Sequence, residues 1–231
     1  MNKEIVLVIG SKPVAILPDI NPKIIYVANG AAERAIIYKK KFPLTKIISV
    51  TSHTGLGHEE VRSKIEKLKP NEIIFVNGRF DVENFFEKKW LRNVNLRFIE
   101  KKGLELQKKY FSNITLRLAD LGLVFGSGNI LFGILRLLYA LIIKRKNPMG
   151  LTTGCLCILI ALLENKNSKI LVTGIGLEGG RHFYKSKGAF PSYRGWADSY
   201  LLKRLPLYLK LSILTTDVAF SQKANIKLFK R

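Results

Sequence analysis

NPMGLTTGCLCILIALLENKNSKILVTGIGLEGGRHFY, Asn147 to Tyr184, holds in one run a turn, an apolar helix, a second turn, an apolar strand and a polar exit loop. Pro148 and Gly150 break the chain. Thr152, Thr153 and Gly154 then open a helix, with hydroxyls placed to cap its unpaired N–H groups. Cys155 to Leu163 is almost wholly apolar, the pattern of a helix buried on more than one face. Asn165 to Ser168 stop it, and Lys169 to Thr173 is long enough for a strand and too short for a helix. Gly174, Gly176, Gly179 and Gly180 follow, with Glu178, Arg181, His182 and Tyr184 among them. Open α/β sheets bind ligands outside the carboxyl ends of their strands, which makes this exit loop the most site-like segment of the chain.

Working outward, the same alternation recurs. Glu4 to Gly10 reads as a buried parallel-type strand ending in glycine, with Ser11 at its turn, where a backbone can approach phosphate; an ordinary βα turn reads equally well. Lys23 to Ala28 is a second strand, ending in Asn29-Gly30 before a helix that begins near Ala31. The Asn29 amide both donates and accepts, which suits a polar ligand edge, an N-cap or a tight turn. Lys46 to Val50 is a third strand and Glu72 to Val76 a fourth, the latter ending in Asn77-Gly78. Between them lie a polar loop, Thr51 to His58, and a short amphipathic helix, Glu59 to Lys67. His53 and His58 lack a suitably spaced carboxylate or thiol and read as solvated loop residues, with no metal site expected.

Helices are expected over Asp81–Lys89 and Lys101–Ser112, with a strand at Asn95–Ile99 between them. Near the end, Ser192 begins a polar loop that enters a helix at Ala197 or Asp198; Leu211 to Leu214 is a last strand and Ala219 to Ala224 a brief helical turn. Such alternation predicts an α/β protein: a single Rossmann-like domain over 1–231, with a mostly parallel sheet and helices on both faces.

Leu121 to Ile143 is the odd segment, followed by Lys144-Arg-Lys146. As a span it would place Arg136 in the apolar core of a bilayer at about 2.5–3.5 kcal/mol. A buried helix over Ile130 to Ile143 is the first expectation; a helix lying in a membrane interface is the second. The basic run after it suits an anionic leaflet.

The chain carries 39 Lys+Arg against 17 Asp+Glu, a formal charge of +22. That excess fits nucleic acid, an anionic membrane surface or phosphorylated substrates, and also a general lysine-rich composition. A hydrophobic content of 47% excludes a disordered protein. Cys155 and Cys157 sit at i, i+2 on one helix and point apart, so no disulfide is expected, in keeping with a reducing cytoplasmic location. Lys3 and Glu4 lead directly into a strand without a signal-peptide pattern.

Val8-Ile-Gly-Ser11, Val27-Ala-Asn-Gly-Ala31, Pro148-Met-Gly-Leu-Thr-Thr-Gly154, Leu171-Val-Thr-Gly174, His182-Phe-Tyr184 and Ile213-Leu-Thr-Thr-Asp217 occur in an order that resembles bacterial glycosyltransferases using CMP-activated acidic sugars, the sialyltransferase-like and Kdo-transferase-like group. Two departures stand out. Met149-Gly-Leu is inserted where the family's turn is compact, and Trp196 stands near the place of the family's downstream histidine, whose following glutamate is missing.

The resemblance implies transfer of a sialic acid or Kdo-type sugar from a CMP donor to a cell-surface glycan or lipid-linked acceptor, with no cofactor and no metal. Gly10, Ser11, Asn29, Gly30, Thr152, Thr153, Gly154, Gly174 and Tyr184 would hold the donor. His182 is the first choice of general base, with Glu178 and Asp198 as carboxylate alternatives. Arg181 or Arg194 would offset leaving-group charge. The protein would lie in the cytoplasm or peripherally on the inner membrane face.

Two other classes stay open. A nucleic-acid-binding α/β protein is weakened by scattered basic residues and the lack of an aromatic stacking series. A different Rossmann-type transferase is weakened by the missing glycine fingerprint.

Overall fold

Short apolar runs separated by helices leave one economical solution, a sheet buried on both faces. The computed structural model describes residues 4–230 apart from Asn77, Ser127, 145–146 and 179–191. Its strands are β1 Ile5–Ile9, β2 Ile24–Ala28, β3 Lys46–Thr51, β4 Glu72–Phe75, β5 Asn95–Phe98, β6 Lys169–Thr173, β7 Ile213–Thr215 and β8 Lys227–Leu228. They form a single eight-stranded sheet in the order β5-β4-β3-β2-β1-β6-β7-β8. Every pairing is parallel, with Val8 beside both Tyr26 and Val172 at the centre. The fold is therefore α/β and Rossmann-like. The strand order reverses at β1, so the switch point lies between the carboxyl ends of β1 and β6.

Strand residues divide by parity between the two faces. Val6, Val8, Tyr26, Ile48, Val50 and Ile74 pack with the apolar helix, while Leu7, Ile9, Ile25, Val27, Ile47 and Ile73 pack on the other side. Helices α1 (Ala32–Lys41) and α2 (Glu59–Leu68) cover that second face. The first is covered by α4 (Thr153–Glu164) and α5 (Ser192–Lys203). Cys155 to Leu162 are all buried, as the unbroken apolar run requires. At the amino end of the sheet, the Tyr26 hydroxyl donates to Glu164 at 2.7 Å, and Arg97 pairs with Glu164 at 2.6 Å and Glu72 at 3.1 Å. This network ties β2, β4 and β5 to the end of α4.

The apolar segment differs from the first expectation. It is broken into a short helix, Gly122–Phe125, and α3, Ile130–Tyr139, which continues through a wider turn at Ala140–Lys144. Asn129 restarts the helix by accepting from Phe132 N at 3.1 Å. Helix α3 is not buried: Gly133 and Ala140 are, but Ile130, Leu131, Phe132, Ile134, Leu135 and Leu138 are exposed. Nor does any described helix have the length and apolarity to cross a membrane.

Smaller corrections follow from local chemistry. Asp81–Lys89 is not one helix; the Asp81 carboxylate caps a single turn at Val82–Asn84, and Lys88–Leu91 is a second. Lys101–Ser112 is likewise interrupted at Gly103, whose φ is 64°, and the regular helix is Leu104–Lys108. The loop from Thr51 to His58 contains a helical turn, His53–Leu56, capped by Ser52. Helix α5 starts at Ser192, ahead of the expected Ala197, and α6 spans Val218–Ala224.

Candidate functional site at the carboxyl edge

Residues that follow the strands gather at one edge of the sheet because all eight strands point the same way. Beyond β3 and β4, a small pocket of about 70 Å³ is lined by Ser52, Thr54, Thr152, Thr153 and Arg194, over an apolar floor that includes Leu156. Its size suits one phosphate or carboxylate group, well below the several hundred cubic ångströms of a whole-ligand cavity.

Helix α4 begins at this pocket. Thr152 is its N-cap, in extended backbone, and its hydroxyl accepts from Cys155 N at 3.5 Å. Among the described residues, the Thr153 and Gly154 N–H groups have no partner, and they carry the positive end of the helix dipole. Such a terminus favours an anion.

Asp198 organises it from α5. One carboxylate oxygen accepts from Thr152 N at 2.8 Å and the other from Thr152 Oγ1 at 2.6 Å. Asp198 is fully buried, which pushes its carboxyl above the usual range, while Arg194 and the bonds from Thr152 and Cys155 pull it back. Burial and the neighbouring Asp198 also push the Cys155 thiol up. With both oxygens engaged, Asp198 holds Thr152 in place and is poorly presented to an acceptor hydroxyl. The Thr152 hydroxyl is itself engaged by Asp198, so Thr153 and Gly154 are the better donors toward a ligand.

The Gly10 and Gly174 turns meet at the switch point. Gly10 N donates to Thr173 O at 2.8 Å, and Lys12 N donates to Gly174 O at 2.7 Å. A Cβ on Gly10 would lie 2.3 Å from Gly174 O, and Gly174 has φ 66°. These glycines let two strand ends touch. Ile175 fills the space beside them: its side chain would meet a Cβ on Gly10 at 2.5 Å and one on Gly154 at 3.7 Å. Ser11 follows at this turn, half-buried.

Arg34 donates to Gly10 O at 3.4 Å and Pro13 O at 2.8 Å, and Lys12 pairs with Asp217 at 2.6 Å. The switch point is thus crossed by hydrogen bonds and rimmed with cations.

Asn29 follows β2 with φ 49°, and its amide oxygen accepts from Thr51 Oγ1 at 3.1 Å. It therefore steadies the turn that carries Ser52 and Thr54, while Gly30 is buried behind it. Glu178 lies elsewhere. It is exposed, 3.5 Å from Lys223, in a wider cleft of about 470 Å³ on the other side of α5, lined by Trp196, Tyr200, Lys203 and Arg204. Trp196 and Tyr200 stack with centroids 5.1 Å apart, and Arg204 covers Tyr200 at 3.6 Å.

Arg181, His182 and Tyr184 fall outside the described residues, as does Asn77. The structure therefore sets Thr152, Thr153 and Arg194 on one pocket, ties Asp198 to it through Thr152 and Asn29 through Thr51, joins Gly10 to Gly174, and sets Glu178 apart. Sequence reasoning missed Ser52, Thr54, Lys12 and Arg34. The adjacent hydroxyls at the end of β3 are the available signal for the first two. His53 is exposed, as expected, with its ring edge-on to Phe80 and Phe85. No group of three or more potential metal ligands occurs among the described residues. Comparison with protein-family models, curated proteins and solved structures gives no match for this chain.

Proposed function

We propose that this protein is a glycosyltransferase that moves an acidic sugar of the sialic acid or Kdo type from a CMP donor to a cell-surface glycan or lipid-linked acceptor. The observation that carries the reading is the small pocket at the carboxyl edge. Thr153 at the start of α4, Ser52, Thr54 and Arg194 line a volume sized for one anionic group. A CMP-sugar offers two such groups, the phosphodiester and the sugar carboxylate.

In the proposed step the acceptor oxygen bonds to the anomeric carbon while the bond from that carbon to the phosphate oxygen breaks. The departing CMP keeps the electron pair, and Arg194 with the α4 terminus offsets its charge. The acceptor proton passes to a general base, assigned from the sequence to His182. Asp198 acts as a positioning residue through Thr152. The wider cleft, with its Trp196 and Tyr200 rings and flanking cations, suits a saccharide acceptor. Products of this kind belong to lipopolysaccharide or capsule, and the proposed place of work is the cytoplasm, peripherally on the inner membrane face.

The test is CMP release from CMP-sialic acid and CMP-Kdo in the presence of glycan and glycolipid acceptors. Wild type should release CMP; Arg194→Ala should lower kcat/KM by about a hundredfold, the scale of one lost charge-stabilising donor. An inert wild type that instead binds DNA or RNA in a salt-sensitive way would overturn the assignment in favour of a nucleic-acid-binding protein.

A further inference from the structure

Helix α3 presents an apolar face that no described part of the chain covers. We infer that this face docks the protein on an anionic lipid bilayer, with the helix lying flat in the interface.

The geometry begins with the helix's own attachment. Gly133 and Ala140 are buried, and Leu137 packs with Ala140, Leu123 and Met149; these residues form one narrow line on the helix. At 100° per residue the exposed apolar side chains of α3, from Ile130 round through Ile134, Leu138, Leu131 and Leu135 to Tyr139 and Phe132, sweep an arc of roughly 200° directed away from that line. Leu131 is 69% exposed and Ile142 78%. Monomeric soluble surfaces seldom keep so many large apolar groups together unless the patch is used. From Ile130 to Lys144 the helix and its wider turn run only about 22 Å, short of a hydrocarbon core. Among the described residues no helix qualifies as a span. A short helix with one wide apolar face is suited to lying in the interface.

Charge selects the occupant. Between Asp120 and Glu164 the sequence has no acidic residue, and its charged groups are Arg136, Lys144, Arg145 and Lys146. Arg136 lies over the Phe132 ring at 4.4 Å, on the flank of the apolar arc. The neighbouring cleft adds Lys203 and Arg204, with Lys223 paired to Glu178, beside Phe125, which is 64% exposed. A second copy of a chain carrying +22 would bring like charge to like charge, whereas an anionic leaflet matches the apolar face and its basic surroundings together.

The inference rests on the transfer reading only for its purpose, which is to place the enzyme where a lipid-linked acceptor lies. The test needs neither donor nor acceptor, so the two readings fail independently. Full-length protein is sedimented with vesicles of phosphatidylcholine alone and of equimolar phosphatidylcholine and phosphatidylglycerol. Wild type should pellet with the anionic vesicles, less so at high salt, and remain in solution with the neutral ones. Leu135→Glu with Leu138→Glu should weaken anionic-vesicle binding by more than about a hundredfold. Both side chains are exposed, so the far-ultraviolet circular dichroism should be unchanged; if that pair misfolds, Leu131→Glu on the same face should reproduce the loss. Wild type that stays in solution with both vesicles, or binds both equally, overturns the inference. So does a wild-type dimer in sedimentation equilibrium that the paired substitution converts to monomer, which would assign the face to a second copy.

Discussion

Replacing Asp198 separates two roles of a buried carboxylate. In Asp198→Ala, Thr152 N–H and Thr152 Oγ1–H both lose their acceptor. Each buried donor left unpaired costs about 1–3 kcal/mol. Thr152 is half-buried and water can meet part of that loss, so the lower part of the summed range applies, about 2–4 kcal/mol. Asp198→Asn is different. Its Oδ1 can still accept from Thr152 N, and its Nδ2 can donate to Thr152 Oγ1, mimicking the protonated acid. The cost should stay within about 1 kcal/mol.

The pH dependence has a defined sign. The folded-state pKa of Asp198 is raised by burial, so the folded protein holds this proton more tightly than the unfolded chain. The contribution is fully present below the unfolded value, about 3.9, and is lost as pH rises through the folded value. The asparagine variant has no such proton, so its deficit against wild type should shrink, and can reverse, as pH rises across that window. Urea unfolding of the three proteins, with matched m-values, measures these differences. Equal large losses for alanine and asparagine would refute the reasoning, because they would show that the Asp198 charge itself, and not its acceptor geometry, holds the helix terminus.

Gly10→Ala should destabilise by about 1–3 kcal/mol, or fail to fold, because its Cβ would meet Gly174 O at 2.3 Å; urea unfolding reads the loss. Cys155 and Cys157 are fully buried with thiols pushed up by burial, so native protein should resist iodoacetamide at neutral pH, and mass spectrometry should find both labelled only after denaturation. Glu164→Leu should cost about 1–2 kcal/mol by leaving Arg97 with Glu72 alone and the Tyr26 hydroxyl without this acceptor, a loss measurable in the same denaturant series.

Much of the sheet was legible because fully buried parallel strands are short, β-branched and bounded by turns. Six of the strands, from Ile5–Ile9 to Lys169–Thr173, lie where the apolar runs place them. The strand expected at Leu211–Leu214 is β7, Ile213–Thr215, two residues later at its start and one at its end, and the two-residue β8 carries no pattern to read. Helix α3 was misread because apolarity alone does not distinguish a helix buried in a core from one that turns its apolar side outward; only the narrow line of Gly133, Leu137 and Ala140 tells them apart.

At the site, the glycines and threonines were found by their place after strands or before a helix. Their roles were less legible. Gly10 and Gly174 serve close backbone approach, and Asp198 holds Thr152, relations that join residues far apart in the chain. Asn29 is similarly tied to Thr51. Local spacing does not encode such pairs.

The most direct test of the central claim is donor protection against thermal unfolding. CMP, CMP-sialic acid and CMP-Kdo are added to wild type and to Arg194→Ala. At a hundredfold excess over Kd a bound donor adds about 2.7 kcal/mol, which raises Tm by several degrees. The account predicts that rise for wild type with at least one CMP-sugar, and a smaller one for Arg194→Ala. An unchanged Tm with CMP and with both CMP-sugars would contradict it.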